Sequence, residues 1–129
     1  MKVELSKSIG RKCTYRRAGR RPIRMKSLAE LSVARALDTA EVQWWYEPHV
    51  MAVGGSTWYR PDFLVELDDG QLIWIEVKGP EPTRIERWKC RRLATVSNKD
   101  VYIVWDSGSS CLLFRAGGGF GEEVGGLCM

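Results

Sequence analysis

The chain has 129 residues, the size of one ordinary domain around a single hydrophobic core. Hydrophobic residues make up 44% of the sequence and include six tryptophans, which excludes a wholly disordered chain because enough apolar surface is present to offset chain entropy. No segment approaches the roughly 20 apolar residues of a membrane-spanning helix, and the N-terminus lacks the apolar core of a secretory signal. We therefore expect a cytoplasmic protein that does not associate with membranes.

Positive charge is concentrated in residues 1–26, where ten basic residues stand against one acidic residue, for a net charge of +9. The remaining residues hold ten basic and fifteen acidic side chains, a net charge of −5. A dense basic segment attracts polyanions, so four of its arginines are candidates for binding nucleic acid. These candidates are Arg16, Arg17, Arg20 and Arg21. A solvated leader with no ligand explains the same composition equally well.

The first predicted element is a helix over residues 27–40, because apolar side chains recur there at helical spacing. Ser27 and Glu30 have the S-x-x-E spacing of a capping box, which predicts the helix N-terminus. Residues 42–47 are rich in strand-forming side chains and are predicted as a strand that ends at Pro48.

A hairpin is predicted from residues 57–67 and 71–78, because an Asp-Asp-Gly turn separates these two runs of strand-forming residues. Side chains alternate between the two faces of a strand. Glu76 and Lys78 therefore lie side by side, on the face opposite the apolar row that contains Ile75.

A second capping box, formed by Thr83 and Glu86, predicts a helix that continues to about residue 96. Lys89 and Arg91 belong to the basic residues of this helix, and we expect them to contact DNA phosphates. Solvation of an ordinary charged helix face is the alternative explanation for both residues.

Residues 101–105 and 111–115 are predicted as the last strands. The chain then divides into a basic arm (1–26), one folded domain (27–115) and a Gly-rich tail (116–129) to which no role is assigned. The element order predicts an α/β domain, with a central mixed sheet of four or five strands flanked by the two helices. Four cysteines without a C-x-x-C pair, and a single histidine, argue against a zinc site.

Three charged side chains converge in this arrangement. Asp62 follows Pro61 where the chain enters the hairpin, near enough to lie beside Glu76. Mg²⁺ prefers oxygen ligands and is usually held by one or two carboxylates, so Asp62, Glu76 and the main-chain carbonyl of Val77 form a candidate metal site. Lys78 would orient a water or stabilise developing charge, and partial burial is expected to lower its pKa toward proton transfer. By residue type and spacing alone, a surface ion pair between Glu76 and Lys78 is the slightly better explanation.

The sequence resembles the PD-(D/E)xK nuclease signature. Residues 59–64 read Tyr-Arg-Pro-Asp-Phe-Leu, thirteen residues separate Asp62 from Glu76, and residues 75–79 read Ile-Glu-Val-Lys-Gly. The similarity extends over roughly residues 25–106, in the α-β-β-β-α-β order of that superfamily. Within it, the chain is most similar to small phage-type enzymes, including the endonuclease I group of junction resolvases and the amino-terminal nuclease domain of Tn7-type transposases.

The resemblance implies a restriction-endonuclease-like fold in which Asp62 and Glu76 bind Mg²⁺, with Mn²⁺ as a substitute, and Lys78 is the catalytic lysine. It also implies that Glu30 is a helix acid directed toward the metal, a role that competes with capping at this position. The implied activity is endonucleolytic hydrolysis of DNA phosphodiester bonds by metal-activated water.

Several functions are compatible with this resemblance. A resolvase of branched DNA, such as the Holliday junction, would act as a homodimer because the junction is symmetric. A nicking or homing-type endonuclease would instead cut duplex DNA. Outside the enzymes, a non-catalytic DNA-binding module with the nuclease fold is the alternative, although a pure binder has no need of paired carboxylates that repel phosphate.

Overall fold

The computed structural model of the protein describes residues 12–105, 109–118 and 121–124. Two helices, α1 (Leu28–Thr39) and α2 (Arg84–Ser97), pack against opposite faces of a central sheet. The strands in the described residues are, in chain order, β1 (Cys13–Tyr15), β2 (Ile23–Met25), β3 (Gln43–Tyr46), β4 (Met51–Gly54), β5 (Thr57–Tyr59), β6 (Phe63–Glu66), β7 (Leu72–Val77), β8 (Asp100–Trp105), β9 (Ser110–Phe114) and β10 (Glu122–Glu123).

The central sheet has six strands among the described residues, in the order β10-β9-β8-β7-β6-β3. β7 and β8 are parallel neighbours, and α2 forms the crossover connection that a parallel pair requires. The other neighbouring pairs are antiparallel. The mixed α/β sheet flanked by two helices is confirmed, whereas the predicted count of four or five strands is wrong because the short β10 adds a strand beside β9.

The single strand predicted over residues 57–67 is in fact two strands that belong to different sheets. β5 pairs with β4 outside the central sheet, and β6 pairs with β7 inside it. Pro61 lies between β5 and β6 and has no N–H to donate to a ladder, so the continuous pairing is interrupted there. The predicted hairpin of β6 with β7 is confirmed, with Phe63 opposite Ile75.

Residues 13–25 of the basic segment form an antiparallel hairpin, β1–β2, that packs beside α1. Tyr15 and Met25 are buried in the core that α1 covers. The guanidinium of Arg17 lies over the ring of Trp44 at 4.3 Å and pairs with Asp38 at 3.3 Å. The described part of the basic segment is therefore attached to the domain through packing and ion pairing.

The two faces of β7 contribute to separate cores. Ile73 and Ile75 pack on the α1 side, whereas Trp74 packs on the α2 side with Leu93. This alternation is the one predicted from the sequence, and burial of each such side chain contributes about 1.5–3 kcal/mol. Packing on both faces fixes the carboxyl end of β7, where Glu76 and Lys78 lie.

Three cysteines in the described residues, Cys13, Cys90 and Cys111, are free thiols; Cys128 lies outside those residues. Burial raises the pKa of Cys111 to about 12, which keeps its thiol protonated at neutral pH.

Neither of the two helices in the described chain is long and apolar enough to cross a bilayer.

Candidate active site

Three acidic side chains are buried in the part of the chain that the structure describes, and all three are predicted site residues. Glu30 is 3% exposed, Asp62 is 4% exposed and Glu76 is 4% exposed. Carboxylates are almost never buried to this extent unless they are paired or bind a cation. Glu76 and Lys78 do form an ion pair, at 3.5 Å, but its predicted location on the surface is wrong because Glu76 lies in the interior.

The acids meet at one end of the central sheet, where β7 ends and β6 begins. Asp62 immediately precedes β6, and the antiparallel register of β6 with β7 brings it beside Glu76. The N-termini of both helices also reach this end, through Glu30 in the first turn of α1 and Glu86 in the first turn of α2. The partial positive charge of a helix N-terminus stabilises carboxylates there.

Main-chain amides position both motif carboxylates. The N–H of Asp62 donates to Oε1 of Glu76 at 2.8 Å, and the N–H of Val77 donates to Oδ2 of Asp62 at 2.8 Å. Each acid is thus held by the backbone of the segment that carries the other acid. A slip of one residue in the β6–β7 register would break both bonds, because it reverses the face of every side chain.

The carbonyl of Val77 faces the same edge of β7 as its N–H, since both main-chain groups of a strand residue point to one side. That edge is the Asp62 side, because the Val77 N–H bonds to this carboxylate. Continuing the register from Phe63 opposite Ile75 by two residues places Pro61 opposite Val77. Proline has no N–H to donate to the Val77 carbonyl, so the Pro-Asp step removes the ladder partner that this carbonyl would otherwise have.

The second oxygen of each motif carboxylate faces a lysine. Oδ1 of Asp62 is 3.7 Å from Nζ of Lys26, and Oε2 of Glu76 is 3.5 Å from Nζ of Lys78. Both distances are long for an ion pair with good hydrogen-bond geometry. The two ammonium groups therefore mark the side of the carboxylates on which positive charge is favourable.

Lys78 is held in its charged form. Burial lowers the pKa of its ammonium, but the 2.8 Å bond to Glu86 and the charge of Glu76 outweigh burial, so the pKa is raised. The expectation that burial brings Lys78 toward proton transfer is therefore wrong for this arrangement. The side chain can orient an anion or a water as a cation at neutral pH.

The surroundings of Asp62 oppose its ionisation. Burial raises the pKa of Asp62 well above its ordinary range, and the charges of Glu76 and Glu30 raise it further. The hydrogen bond from Val77 acts in the opposite direction but does not compensate. Additional positive charge at this position would favour the ionised form.

Glu30 combines part of a capping role with a place beside Asp62. Its N–H donates to Oγ of Ser27 at 3.1 Å, which is one half of the predicted capping box. Its Oε1 does not complete the box at Ser27: it accepts from the N–H of Lys26 at 2.8 Å and from the hydroxyl of Tyr46 at 3.1 Å. The Glu30 carboxylate contributes to the raised pKa of Asp62, so the two groups interact.

Lys26, Glu47 and Glu86 belong to the site but were not predicted as part of it. Lys26 pairs with Glu47 at 2.7 Å, and the N–H of Glu47 donates to the carbonyl of Asp62 at 2.8 Å. Glu47 has φ +46°, a left-handed conformation that is costly for glutamate and is often retained at functional sites. Glu86 forms the predicted capping box with Thr83, but no sequence spacing signals that it also reaches Lys78.

The residues predicted to bind nucleic acid lie on two other surfaces. Arg16, Arg20 and Arg21 are exposed on or beside the β1–β2 hairpin, whereas Arg17 is partly buried between Asp38 and Trp44. On α2 the structure places Lys89 at a half-buried position and Arg91 at an exposed one. The cations that the structure brings to the carboxylates are Lys26 and Lys78 instead.

The donor atoms of the site are hard oxygens. In residues 12–105, 109–118 and 121–124, no three His, Cys, Asp or Glu side chains form a ready-made cation-binding group. Mg²⁺ does not require one, because it is usually bound by one or two carboxylates with waters and substrate oxygens. Asp62, Glu76 and the Val77 carbonyl fit that requirement in number and kind.

Comparison with known proteins identifies no relative of this chain. No family model, no curated protein and no solved structure matches it. The chemistry of the site is defined by buried carboxylate oxygens beside two ammonium groups, a combination suited to a divalent cation together with an anionic ligand.

Proposed function

We propose that the protein is a metal-dependent endonuclease of the PD-(D/E)xK type that hydrolyses DNA phosphodiester bonds. The observation that carries the proposal is the burial of Glu30, Asp62 and Glu76 at one end of the sheet, with Lys78 beside Glu76. Burying carboxylates costs several kcal/mol each, which a purely structural ion-pair cluster of this kind does not recover. The helix-flanked mixed sheet supports a restriction-endonuclease-like fold.

Asp62, Glu76 and the carbonyl of Val77 would hold Mg²⁺, with Mn²⁺ as a substitute. Once bound, the ion would lower the pKa of a water ligand and offset negative charge on the phosphate. Oδ1 of Asp62 and Oε2 of Glu76 are the oxygens suited to it, because Oδ2 and Oε1 accept from main-chain amides.

Lys78 would act on the substrate as a cation. Its raised pKa keeps the ammonium protonated, so it stabilises negative charge on the phosphate and orients the attacking water without accepting a proton. Glu86, at 2.8 Å from Lys78, would be a positioning residue. Glu30, which interacts with Asp62, would help to set the ionisation of that carboxyl.

DNA is the proposed substrate, and branched DNA such as a Holliday junction is the proposed preferred form, on the basis of the resemblance to junction resolvases. A resolvase would cut a symmetric branch as a homodimer. The exposed Arg16, Arg20 and Arg21 would provide phosphate contacts outside the carboxylate site.

The proposal is tested with purified wild type, Glu76→Ala and Lys78→Ala, on supercoiled plasmid and on synthetic four-way junctions, with Mg²⁺, Mn²⁺ or chelator. We expect metal-dependent cleavage by wild type and a loss of about 10²–10³-fold or more in each variant. Equal activity in all three proteins would show that Glu76 and Lys78 do not form the active site. DNA binding without cleavage under any condition would establish the non-catalytic module, and cleavage of linear duplex at one sequence would contradict the junction preference.

A further inference from the structure

A groove of about 490 Å³ lies between α2 and the edge of the central sheet formed by β9 and β10. Its lining combines basic, aromatic and apolar side chains: Arg84, Arg87, Trp88, Arg91, Leu112 and Phe114. The groove begins at the first turn of α2, the same turn whose Glu86 contacts Lys78.

Trp88 is the central feature of this groove. The residue is 44% exposed, so part of it is accessible to a ligand. The indole also lies close to β4, where a Cβ added at Gly54 would be 3.5 Å from the ring. Trp88 and Arg91 line a second depression with Thr95 and Gly118, so the groove continues along the helix.

The basic residues of the groove share the Trp88 side of α2. Arg84, Arg87 and Arg91 are separated by three and four residues, the spacing that places side chains on one helix face. Arg87 pairs with Glu81 at 2.7 Å and donates from Nε to the carbonyl of Pro82 at 3.2 Å. Its side chain is 40% exposed and that of Glu81 is 70% exposed, and surface ion pairs of this kind contribute little free energy. The groove therefore presents cationic groups beside an aromatic ring and an apolar floor.

This combination matches the chemistry of an unpaired nucleotide, which has an aromatic face and an anionic phosphate. Proteins bind single strands by stacking bases on aromatic side chains and contacting the backbone with basic ones. A duplex offers no base faces to Trp88 because its bases are stacked on each other. Charge complementarity and the exposed ring together favour a single strand.

We propose that the groove binds a single-stranded DNA segment, with one base against Trp88 and phosphates against Arg84, Arg87 and Arg91. The identity of the strand rests on the proposed nuclease function, because the groove would receive the unpaired part of a branched DNA substrate. The groove thereby supplies a preference for DNA that has a single-stranded portion.

The test measures binding of a fluorescently labelled oligo-dT by anisotropy, in chelator so that no cleavage occurs. We expect Trp88→Ala to weaken binding by about 10-fold or more, the effect of removing one base-stacking platform, and Trp88→Phe to retain most of the affinity. The matched control is Trp45→Ala. Trp45 is 43% exposed on β3, at the opposite edge of the sheet, and its replacement should leave the affinity unchanged.

In a second experiment, Arg84 and Arg91 are replaced by alanine, and the affinity for oligo-dT is measured at several salt concentrations. Removing an arginine that binds one phosphate should reduce the slope of log K against log[salt] by about 0.7 for a single strand. Thermal melts establish that each variant is folded. Equal oligo-dT affinities for Trp88→Ala, Trp45→Ala and wild type would overturn the inference, and so would an equal loss of affinity for a duplex of the same length.

Plasmid nicking, measured separately, distinguishes the two proposals. Nicking that persists while Trp88→Ala binds oligo-dT like wild type would overturn the groove alone. If binding of oligo-dT depends on Trp88 but the protein never nicks DNA, the single-strand groove would be supported and the proposed nuclease activity would be overturned.

Discussion

Asp62 carries a carboxyl group that the fold holds between two other buried acids. Its raised pKa means that the folded state binds its proton more tightly than the unfolded state. The unfolded state therefore loses this proton at a lower pH than the folded state. As the pH rises from the unfolded pKa of Asp62 to its folded pKa, the free energy of unfolding falls. Asp62 thus lowers the stability of the metal-free protein at neutral pH, a cost that is common at catalytic sites.

We expect Asp62→Asn to raise the melting temperature at pH 8 in chelator, because asparagine removes the charge but keeps an oxygen that accepts from Val77. A gain of about 1 kcal/mol corresponds to roughly 4 °C for a domain of this size. Thermal melts of both proteins at pH 8 and pH 5 provide the measurement. The difference should shrink at pH 5, and a variant that melts below wild type at both pH values would contradict this description of Asp62.

Glu86 allows the role of the Lys78 ion pair to be separated from helix capping. Glutamine at this position preserves the capping-box bond to Thr83 but removes the charge that raises the pKa of Lys78. We expect Glu86→Gln to lower that pKa, to move the alkaline limb of the cleavage rate to lower pH, and to reduce the rate by about 10-fold at alkaline pH.

The matched control is Glu81→Gln, because Glu81 is an exposed acid near the same helix end that pairs with Arg87. Its pH profile of cleavage should be that of wild type. If Glu86→Gln and Glu81→Gln give the same profile, Glu86 serves only to cap α2.

At the level of secondary structure, Asp38 in the last turn of α1 connects three elements. It accepts from the Tyr15 hydroxyl on β1, from Nη1 of Arg17 at 3.3 Å and from Nε1 of the buried Trp44 on β3 at 2.8 Å. The Asp38 carboxylate therefore adds polar contacts to the core packing that attaches the β1–β2 hairpin to the domain.

We expect Asp38→Ala to destabilise the protein by about 2–3 kcal/mol, because a partly buried cation and an indole N–H lose their acceptor. Urea unfolding is the measurement, with Glu41→Ala as the control at an exposed position close by. A difference of less than about 0.5 kcal/mol between the two variants would show that Asp38 does not hold the hairpin.

The elements that were predictable are those with their own local signals. Both helices begin at S/T-x-x-E spacings, and the β6–β7 hairpin has alternating apolar residues around an Asp-Asp-Gly turn. The strands β1, β2 and β4 are only three or four residues long and lack an aromatic run like that of β3, so their pairing depends on packing against α1 and α2. Pro61 was visible in the sequence, but its effect in dividing two sheets required the tertiary arrangement.

The same distinction applies to the site. Asp62, Glu76 and Lys78 were predictable because they are close in sequence and joined by one hairpin. Glu30 followed only from the resemblance. Lys26 and Glu47 reach Asp62 from segments distant in sequence, so their participation could be read only from the fold.

In the described part of the N-terminal segment, residues 12–26, positive charge is presented on a folded hairpin. Arg16, Arg20 and Arg21 are exposed there, whereas Tyr15 is part of the core. Truncation through β1 would remove core packing together with the charges. Substitution of the three exposed arginines is therefore the cleaner test of their role.

We expect the combined replacement of Arg16, Arg20 and Arg21 by alanine to weaken duplex binding. The slope of log K against log[salt] should fall by up to about 2.7, if each arginine contacts one phosphate. Anisotropy titrations at several salt concentrations measure this slope, and an unchanged melting temperature shows that the fold is intact. An unchanged slope would show that these arginines do not contact DNA phosphates.

The proposed activity is metal-dependent hydrolysis of phosphodiester bonds at the buried carboxylates. Its most direct test is nicking of supercoiled plasmid by wild type and by Asp62→Asn, over a titration of Mg²⁺ with a chelator control. The expected result is nicking by wild type that requires the metal, and a rate at least about 10³-fold lower in a folded Asp62→Asn protein. Nicking by wild type that persists in chelator, or equal nicking by the two proteins, would contradict it.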